Sequence, residues 1–331
     1  MTSHQPDEKE ESSTVHNISD DHLVTIAARM YHEQQRTQHE IANNLKVSQG
    51  TVCRLLKRAE QRGIVRTTVS PPVGTFVDLE ELLEQKFGLA QVIIARAPNQ
   101  SEESVLGPVG AAASYFLATT LRPKAVIGVA SWSASLMSTV EQMHPVWRLS
   151  ECKVVQILGG IGHPSVEKHA NYLVRQLAYL VRGEAHLLPA PGLVASKGAA
   201  AVLVHDPHVR ETMGLFDQIT VALIGIGSLE PSSWLDGSGN TVSPDELQSL
   251  QDKGAVGNIC LRFYNADGEE IKEVIGDRVL GLELYRFKNI STVIGIACGK
   301  RKRQAILGAL RGRWINVLVT DQFTAESLAT A

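Results

Sequence analysis

The stretch TQHEIANNLKVSQGTVCRLLKRA, residues 37–59, decides the fold of the N-terminal part of the chain. Thr37 and Glu40 have the spacing of a capping box, in which each side chain satisfies a backbone donor at the start of a helix. Apolar residues follow at helical spacing on both sides of a short turn at Lys46, and Ser48 stands where a second N-cap is needed. The pattern predicts a helix-turn-helix.

The flanking residues complete a small domain. Residues 22–31 have the apolar spacing of a preceding amphipathic helix, and Gly63 has the position of a C-terminal cap after the last helix. The β-rich residues 64–69 predict a wing, and Ser70-Pro-Pro-Val-Gly74 has the composition of a linker. We therefore expect a winged helix-turn-helix.

The second helix of this motif has the features of a DNA recognition helix. Short polar residues come first, where they would reach base edges, and basic residues follow, where they would meet phosphates. The predicted DNA-binding residues are Gln38, Ser48, Gln49, Thr51, Arg54, Lys57 and Arg58. The alternative is an ordinary three-helix bundle whose polar face is only solvated.

The charge distribution favours DNA binding although the net charge is only −3. Residues 22–66 contain eight Lys and Arg against three acids, and residues 1–21 contain six acids and one lysine. The acidic segment hides a basic module in the total. Residues 1–21 have no apolar core of a signal peptide and are expected to be a disordered acidic tail.

Composition indicates a second, larger domain. Of the 331 residues, 44% are hydrophobic but only 5% are aromatic, as is typical of parallel-sheet α/β proteins. No apolar run is long enough for a membrane span. The four cysteines are scattered without a CxxC pair, which favours a reducing cytoplasm over a disulfide framework or zinc site.

Strand and helix patterns alternate after the linker, as in βαβ units. The predicted strands are residues 91–95, 125–129, 153–158, 185–188, 218–224, 259–264, 292–297 and 316–320. The predicted helices are residues 79–87, 104–121, 166–181, 196–204 and 301–311. This order predicts a mostly parallel sheet.

Glycine clusters follow several predicted strands, at residues 128, 159–162 and 225–227. Glycines there let backbone donors approach a ligand, and the alternative is that they only serve turns. Lys302 lies in a basic run at the start of a helix, where cations oppose the macrodipole. An anionic or polyhydroxy ligand, a subunit contact or plain solvation would each explain it. No catalytic or metal-binding constellation emerges, and no cofactor is predicted.

The chain resembles the SorC/DeoR-type sugar-binding transcriptional regulators from about residue 23 to residue 328. The match is carried by Gly128-Val-Ala-Ser-Trp132, Val155-Gln-Ile-Leu-Gly-Gly160 and Leu188-Pro-Ala-Pro191, and by residues 39–56, 254–264, 293–302, 305–312 and 315–321. The resemblance implies a Rossmann-like domain related to the ribose-5-phosphate isomerase/CoA-transferase fold. It also implies dimers that assemble into tetramers on operator DNA.

The resemblance further implies an effector that is a sugar, polyol or sugar phosphate. Carried over onto this chain, together with the strand-end glycines, the predicted effector-binding residues are Ser131, Ser133, Ser135, Gly159, Gly160, Pro191, Gly225, Asn258, Arg262 and Lys302. Two positions depart from the family pattern. Asn258 stands where an aspartate is usual, and Ser133 and Ser135 stand near a common Gly-x-Thr pattern.

The resulting expectation is a cytoplasmic DNA-binding transcriptional regulator, a repressor or an activator, controlled by a small carbohydrate. Its predicted organisation is a tail (1–21), a helix-turn-helix domain (22–70), a linker (71–78) and an effector-binding and oligomerisation domain (79–331). One alternative is a sugar-phosphate isomerase- or deaminase-like enzyme, which rests on fold kinship. Another is a purely architectural DNA binder, which the large glycine-rich domain disfavours.

Overall fold

The computed structural model describes the chain except residues 1–8, 66–74, 131, 163 and 231–241, and leaves the side chains of residues 9–20 and 164–168 undescribed. The chain forms two compact units, Met1–Ser70 and Pro71–Ala331. Most of the predicted wing and linker, residues 66–74, lies outside the described residues. Helix α4, Val77–Phe87, begins inside the predicted linker.

The first unit contains the predicted helix-turn-helix. Helix α1 spans Lys9–His32, α2 spans Gln38–Leu45 and α3 spans Gln49–Gln61. Both predicted caps are confirmed, because the Thr37–Glu40 capping box closes on α2 and the Ser48 hydroxyl accepts from the amide of Thr51. The left-handed Lys46 ends α2. The unit has its own core, which includes Val24, Ala27, Ile41, Val52, Leu55 and Ala59.

Helix α1 is longer than the sequence predicted. Residues 22–31 were expected to be helical and residues 1–21 disordered, but the helix already begins at Lys9. A feature of the sequence supports the longer helix, because no glycine or proline occurs between Pro6 and Gly50 to interrupt it. The prediction was wrong here because it relied on apolar periodicity alone.

The second unit is built on a seven-stranded sheet in which every neighbouring pair is parallel. Its strands are β1 Gln91–Ala95, β2 Val126–Val129, β3 Cys152–Gln156, β4 Gly183–His186, β5 Val221–Gly225, β10 Thr292–Ile296 and β11 Val317–Asp321. Seven of the eight predicted strands are these, so the expected parallel α/β fold is confirmed. The order is β1-β11-β10-β5-β2-β3-β4.

A second, antiparallel sheet stands where the sequence predicted one strand over 259–264. Its strands are β6 Gly227–Ser228, β7 Ala255–Ile259, β8 Arg262–Asn265 and β9 Glu270–Ile271. The chain turns back between β7 and β8 at Cys260 and Leu261, whose φ angles are 51° and 59°. Such a turn normally carries Asn or Gly, so Cys260 and Leu261 do not indicate it in the sequence.

Helices pack around the sheets. They are α5 Glu102–Thr120, α6 Ala134–Glu141, α7 Pro164–Leu180, α8 Lys197–Val204, α9 Pro207–Met213, α10 Pro244–Asp252, α11 Arg303–Arg311 and α12 Gln322–Ala329. Within the described ranges, none of the helices combines the length and apolar character that crossing a bilayer would require.

Candidate functional site

A cavity of about 250 Å³ opens at the carboxyl ends of the parallel strands. From β2 the chain adds β3 and β4 on one side, then returns to place β5, β10 and β11 on the other. The neighbours β2 and β5 therefore mark the topological switch point, where the loops diverge and open α/β sheets bind ligands. The cavity lies there, lined by residues 130 and 132–135 after β2 and 225–228 after β5.

A chain of serine hydroxyls forms one wall of the cavity. Ser133 caps α6, its Oγ accepting from the amide of Leu136, and lies 3.0 Å from the Oγ of Ser135. Ser135 is buried and donates to the carbonyl of Ile296 at 2.7 Å. Any side chain at position 225 would overlap Ser133, so Gly225 is needed for this close approach.

The antiparallel sheet supplies another part of the lining. Asn258 of β7 donates from Nδ2 to the carbonyl of Ser228 at 3.2 Å. The turn residues Cys260 and Leu261 are buried and also line the cavity, as does Cys298 after β10. Burial raises the pKa of the Cys260 thiol to about 12 and that of Cys298 to about 11. Both thiols are therefore protonated at neutral pH and weakly nucleophilic.

Lys302 brings a positive charge to the cavity. It is half-buried, and burial lowers the pKa of its ammonium group below the usual range. Among the described residues its ammonium group has neither a hydrogen bond nor an ion pair. Arg301 beside it is paired with Glu102 at 3.2 Å and with Glu230 at 3.7 Å. Lys302 thus remains the cation available to a ligand.

Trp132 is a lining residue that the prediction did not single out, although it stands in the quoted family motif. Its side chain is 9% exposed, and its indole N–H is buried with no partner among the described residues. Its φ of 62° is in the left-handed region, which costs an L-residue about 1 kcal/mol or more. Strained backbone and an orphaned donor at one residue are typical of a ligand site.

Asp321, at the end of β11, positions the segment that carries Lys302. One carboxylate oxygen accepts from the amide of Thr324, and the other accepts from the amide of Gly299 at 3.0 Å and from the Thr324 hydroxyl at 2.5 Å. The residue is completely buried. Gly299 leads directly into the single 3₁₀ turn Lys300–Lys302. The sequence offered only an Asp three residues before a Thr, a common capping pattern.

The structure brings together five of the ten predicted effector residues: Ser133, Ser135, Gly225, Asn258 and Lys302. Ser131 lies outside the described residues. Gly159, Gly160, Pro191 and Arg262 do not line the cavity. Arg262 is buried and donates to the carbonyls of Gly276 and Val279, so it anchors a neighbouring loop.

Gly159 and Gly160 are close-packing positions. A Cβ at Gly159 would overlap the backbone carbonyl of Pro191, and one at Gly160 would overlap the side-chain amide of Gln156. Residue 161 pairs with Pro191 in an isolated parallel bridge. The predicted glycine loop therefore packs against the segment at Pro191.

Gly159→Ala is accordingly expected to lower the free energy of unfolding by roughly 2 kcal/mol, since its Cβ meets backbone that cannot rotate away. Ligand affinity of the folded fraction should stay unchanged. Urea unfolding and calorimetric titration measure the two effects separately. A variant of wild-type stability with weakened ligand binding would place Gly159 at the ligand instead.

The described helix-turn-helix presents an exposed face on α3. Gln49, Arg54 and Lys57 are exposed, and Arg54 and Lys57 lie on the side opposite the buried Val52, Leu55 and Ala59. The other predicted DNA-binding residues are placed differently. Ser48 and Thr51 bond each other at the cap, and Gln38 and Arg58 are half-buried. Cys53, which the prediction passed over, is exposed between Gln49 and Lys57 on the helix surface.

Comparisons with protein families match both units. A model described as a putative sugar-binding domain matches residues 72–330, and a model of the MarR family matches residues 16–74. The sorbitol operon regulator of Klebsiella pneumoniae is 32% identical over 94% of this chain and 99% of its own length. The deoxyribonucleoside regulator of Bacillus subtilis is 30% identical over 92% of this chain and 96% of its own length.

Solved structures agree with these matches. The full-length sorbitol operon regulator SorC of Klebsiella pneumoniae superposes with a TM-score of 0.69 at 30% identity, covering 94% of this chain and 99% of that one. The putative sugar-binding domain of the regulator DeoR from Pseudomonas syringae gives a TM-score of 0.61 at 35% identity, covering 77% of this chain and 99% of that one.

Proposed function

Because the chain belongs to the SorC/DeoR-type family of sugar-binding transcriptional regulators, we propose that α2 and α3 bind operator DNA and that a small carbohydrate in the switch-point cavity controls this binding. The observation that carries the proposal is the position of the cavity. It lies where an open α/β sheet binds ligands, in the domain that the sugar-binding model matches.

The polar groups of the cavity suit a carbohydrate. Hydroxyl and amide groups of Ser133 and Asn258 can bond sugar hydroxyls, while Lys302 can bond either a hydroxyl or a phosphate. Trp132 adds an apolar surface and a free N–H donor. The relatives named above regulate a sorbitol operon and a deoxyribonucleoside response, which supports an effector of this chemical class.

On the DNA, Gln49 and Arg54 would reach base edges from the exposed face of α3, and Lys57 would hold phosphate. A homo-oligomer, a dimer or a tetramer, would present recognition helices in two-fold pairs to a palindromic site. The effector must bind the DNA-competent and DNA-incompetent states with different affinity, since otherwise it would shift no population.

The isomerase- or deaminase-like alternative has weaker support. The relatives are named as transcriptional regulators, and burial keeps both cavity thiols in the protonated form. Turnover assays on pentose and hexose phosphates would detect such an enzyme, because an effector is recovered unchanged whereas a substrate is not.

The proposal predicts that a carbohydrate both stabilises the protein and changes its affinity for DNA. An operator would first be selected from random-sequence DNA with wild-type protein. Pentitols, hexitols, pentoses, hexoses and their phosphates would then be screened by thermal shift, since ligands of the folded state raise the melting temperature. A hit should change operator affinity at least about 5-fold, a typical coupling.

Lys302→Met is the matched variant for this screen. It keeps the length of the side chain but removes its charge, so it should bind the operator as wild type does and require at least ~10-fold more of an acidic hit. A thermal-shift hit that leaves operator binding unchanged, or a Lys302→Met variant with the wild-type response to an acidic hit, would contradict effector control through this cavity.

A further inference from the structure

The two serine hydroxyls in the cavity wall, Ser133 and Ser135, already donate their protons to protein acceptors. Ile296 contributes a carbonyl, which can only accept, so the single proton of the Ser135 hydroxyl points at it. In the contact between Ser135 and Ser133 the donor must then be Ser133. Ser133 Oγ also accepts from the amide of Leu136. What remains for a ligand at Ser133 is a lone pair and no proton.

Asn258 offers the cavity its amide oxygen and the second proton of its Nδ2. Its Nδ2 donates to the carbonyl of Ser228, and since a carbonyl cannot bond to the amide oxygen, this contact fixes the orientation of the side chain. No described residue donates to its Oδ1. The amide oxygen is therefore a second acceptor in the cavity lining, near Gly227, on which the side chain packs.

Donors occur elsewhere in the lining. The described groups with uncommitted protons include the ammonium of Lys302, which follows β10, and the indole N–H of Trp132. Ser133 follows β2, on the other side of β5 from β10. Different strand ends thus contribute the acceptors at Ser133 and Asn258 and the cation at Lys302. The cavity can therefore favour one orientation of an asymmetric ligand.

We propose that Ser133 and Asn258 determine the specificity of this cavity by accepting hydrogen bonds from effector hydroxyls. An uncharged polyol segment lies against them, and any acidic group of the effector lies at Lys302. This inference rests on the proposed function and adds the orientation of the effector to it. It also explains what the departures at these two positions do.

A phosphate is disfavoured at the Ser133 hydroxyl by the same accounting. The dianion has acceptor oxygens and no proton to offer, so it would face the lone pairs of Ser133 Oγ and of the Asn258 oxygen. The N-terminus of α6 would otherwise suit an anion. Here the Ser133 side chain fills the space above Gly225, and the amide of Leu136 already donates to the Ser133 hydroxyl.

The test is a set of calorimetric titrations on the full-length protein. The probes are ribitol, D-glucitol, D-galactitol, their terminal phosphates and inorganic phosphate. Ser133→Ala should weaken the polyols that bind by about 10-fold and leave inorganic phosphate within about twofold, a response expected when one acceptor is lost. The control is Ser138→Ala, on the same helix, because Ser138 itself does not line the cavity and its hydroxyl donates to the carbonyl of Leu106.

Asn258→Asp gives a second, independent readout because it keeps an acceptor while adding negative charge. It should retain neutral polyols within about threefold and weaken the phosphates at least ~10-fold. Melting curves confirm that each variant is folded. The proposal is overturned if Ser133→Ala leaves polyol binding unchanged, or if it weakens inorganic phosphate as much as polyols.

These results are distinguishable from a failure of the proposed function. If none of the probes binds wild-type protein and none changes its operator affinity, control by a carbohydrate is itself wrong and this inference falls with it. If polyols bind wild type and release or recruit DNA but ignore Ser133 and Asn258, only the assigned orientation is wrong.

Discussion

Arg54→Ala is expected to weaken binding to the selected operator by ~10- to 100-fold and to relax the base preference at one position of each half-site. Arg54 is exposed on α3, one turn from its N-terminal end, where recognition helices contact base edges. A bidentate arginine–guanine contact contributes roughly 1–3 kcal/mol of discrimination. Fluorescence anisotropy with single-base operator variants measures both effects.

Lys57→Ala provides the contrast. Lys57 lies nearer the C-terminal end of α3, so its loss should weaken all sequences about equally and lower the salt slope by roughly 1. Lys253→Ala, in the second unit, is the charge-matched control and should bind as wild type. If Arg54→Ala weakened cognate and random DNA by the same factor, Arg54 would be a phosphate contact and the assignment of base reading to it would be wrong.

Asp321→Ala is expected to lower the free energy of unfolding by about 3 kcal/mol. It removes the cap of α12 and leaves the buried amide of Gly299 without its carboxylate, and these losses cost roughly 1 and 1–3 kcal/mol respectively. It should also weaken ligand binding in the folded fraction, because Gly299 starts the turn that carries Lys302. Urea unfolding and calorimetry separate the two effects.

Two comparisons make this prediction specific. Asp206→Ala removes an exposed cap of α9 and should cost only about 1 kcal/mol, with no effect on ligand binding. Asp321→Asn keeps the shape but must place its NH₂ group against the backbone amide of either Gly299 or Thr324, both of which donate, so it should be nearly as destabilising as alanine. Equal losses from Asp206→Ala and Asp321→Ala would show that Asp321 is no more than a helix cap.

The elements that could be predicted from the sequence are those determined by residues close together in the chain. Thr37, Glu40 and Ser48 specify helix starts by contacts within three residues, and all three act as expected. The strands of the parallel sheet were predicted because each is a short apolar run, a pattern that can be recognised without knowing its neighbours in the fold. Their order could not be predicted. That β2 lies beside β5, which creates the cavity, depends on packing between residues nearly a hundred positions apart.

The candidate site shows the same division. Ser133 and Lys302 were identified because the family resemblance and the loops at the strand ends point to the same segments. The resemblance also selected Gly159 and Arg262, but Gly159 packs against Pro191 and Arg262 holds a loop. Asp321 was missed because its partners, Gly299 above all, are distant in sequence.

At the turn formed by Cys260 and Leu261, thermal stability and ligand recognition favour different residues. Both residues hold left-handed backbone that asparagine and glycine adopt at lower cost, and both form part of the cavity lining. A variant library selected only for survival at high temperature would therefore favour Asn-Gly at these positions. Its survivors would be sturdier proteins with a reshaped ligand cavity, so thermal selection on this scaffold erodes its chemical discrimination unless ligand response is selected in parallel.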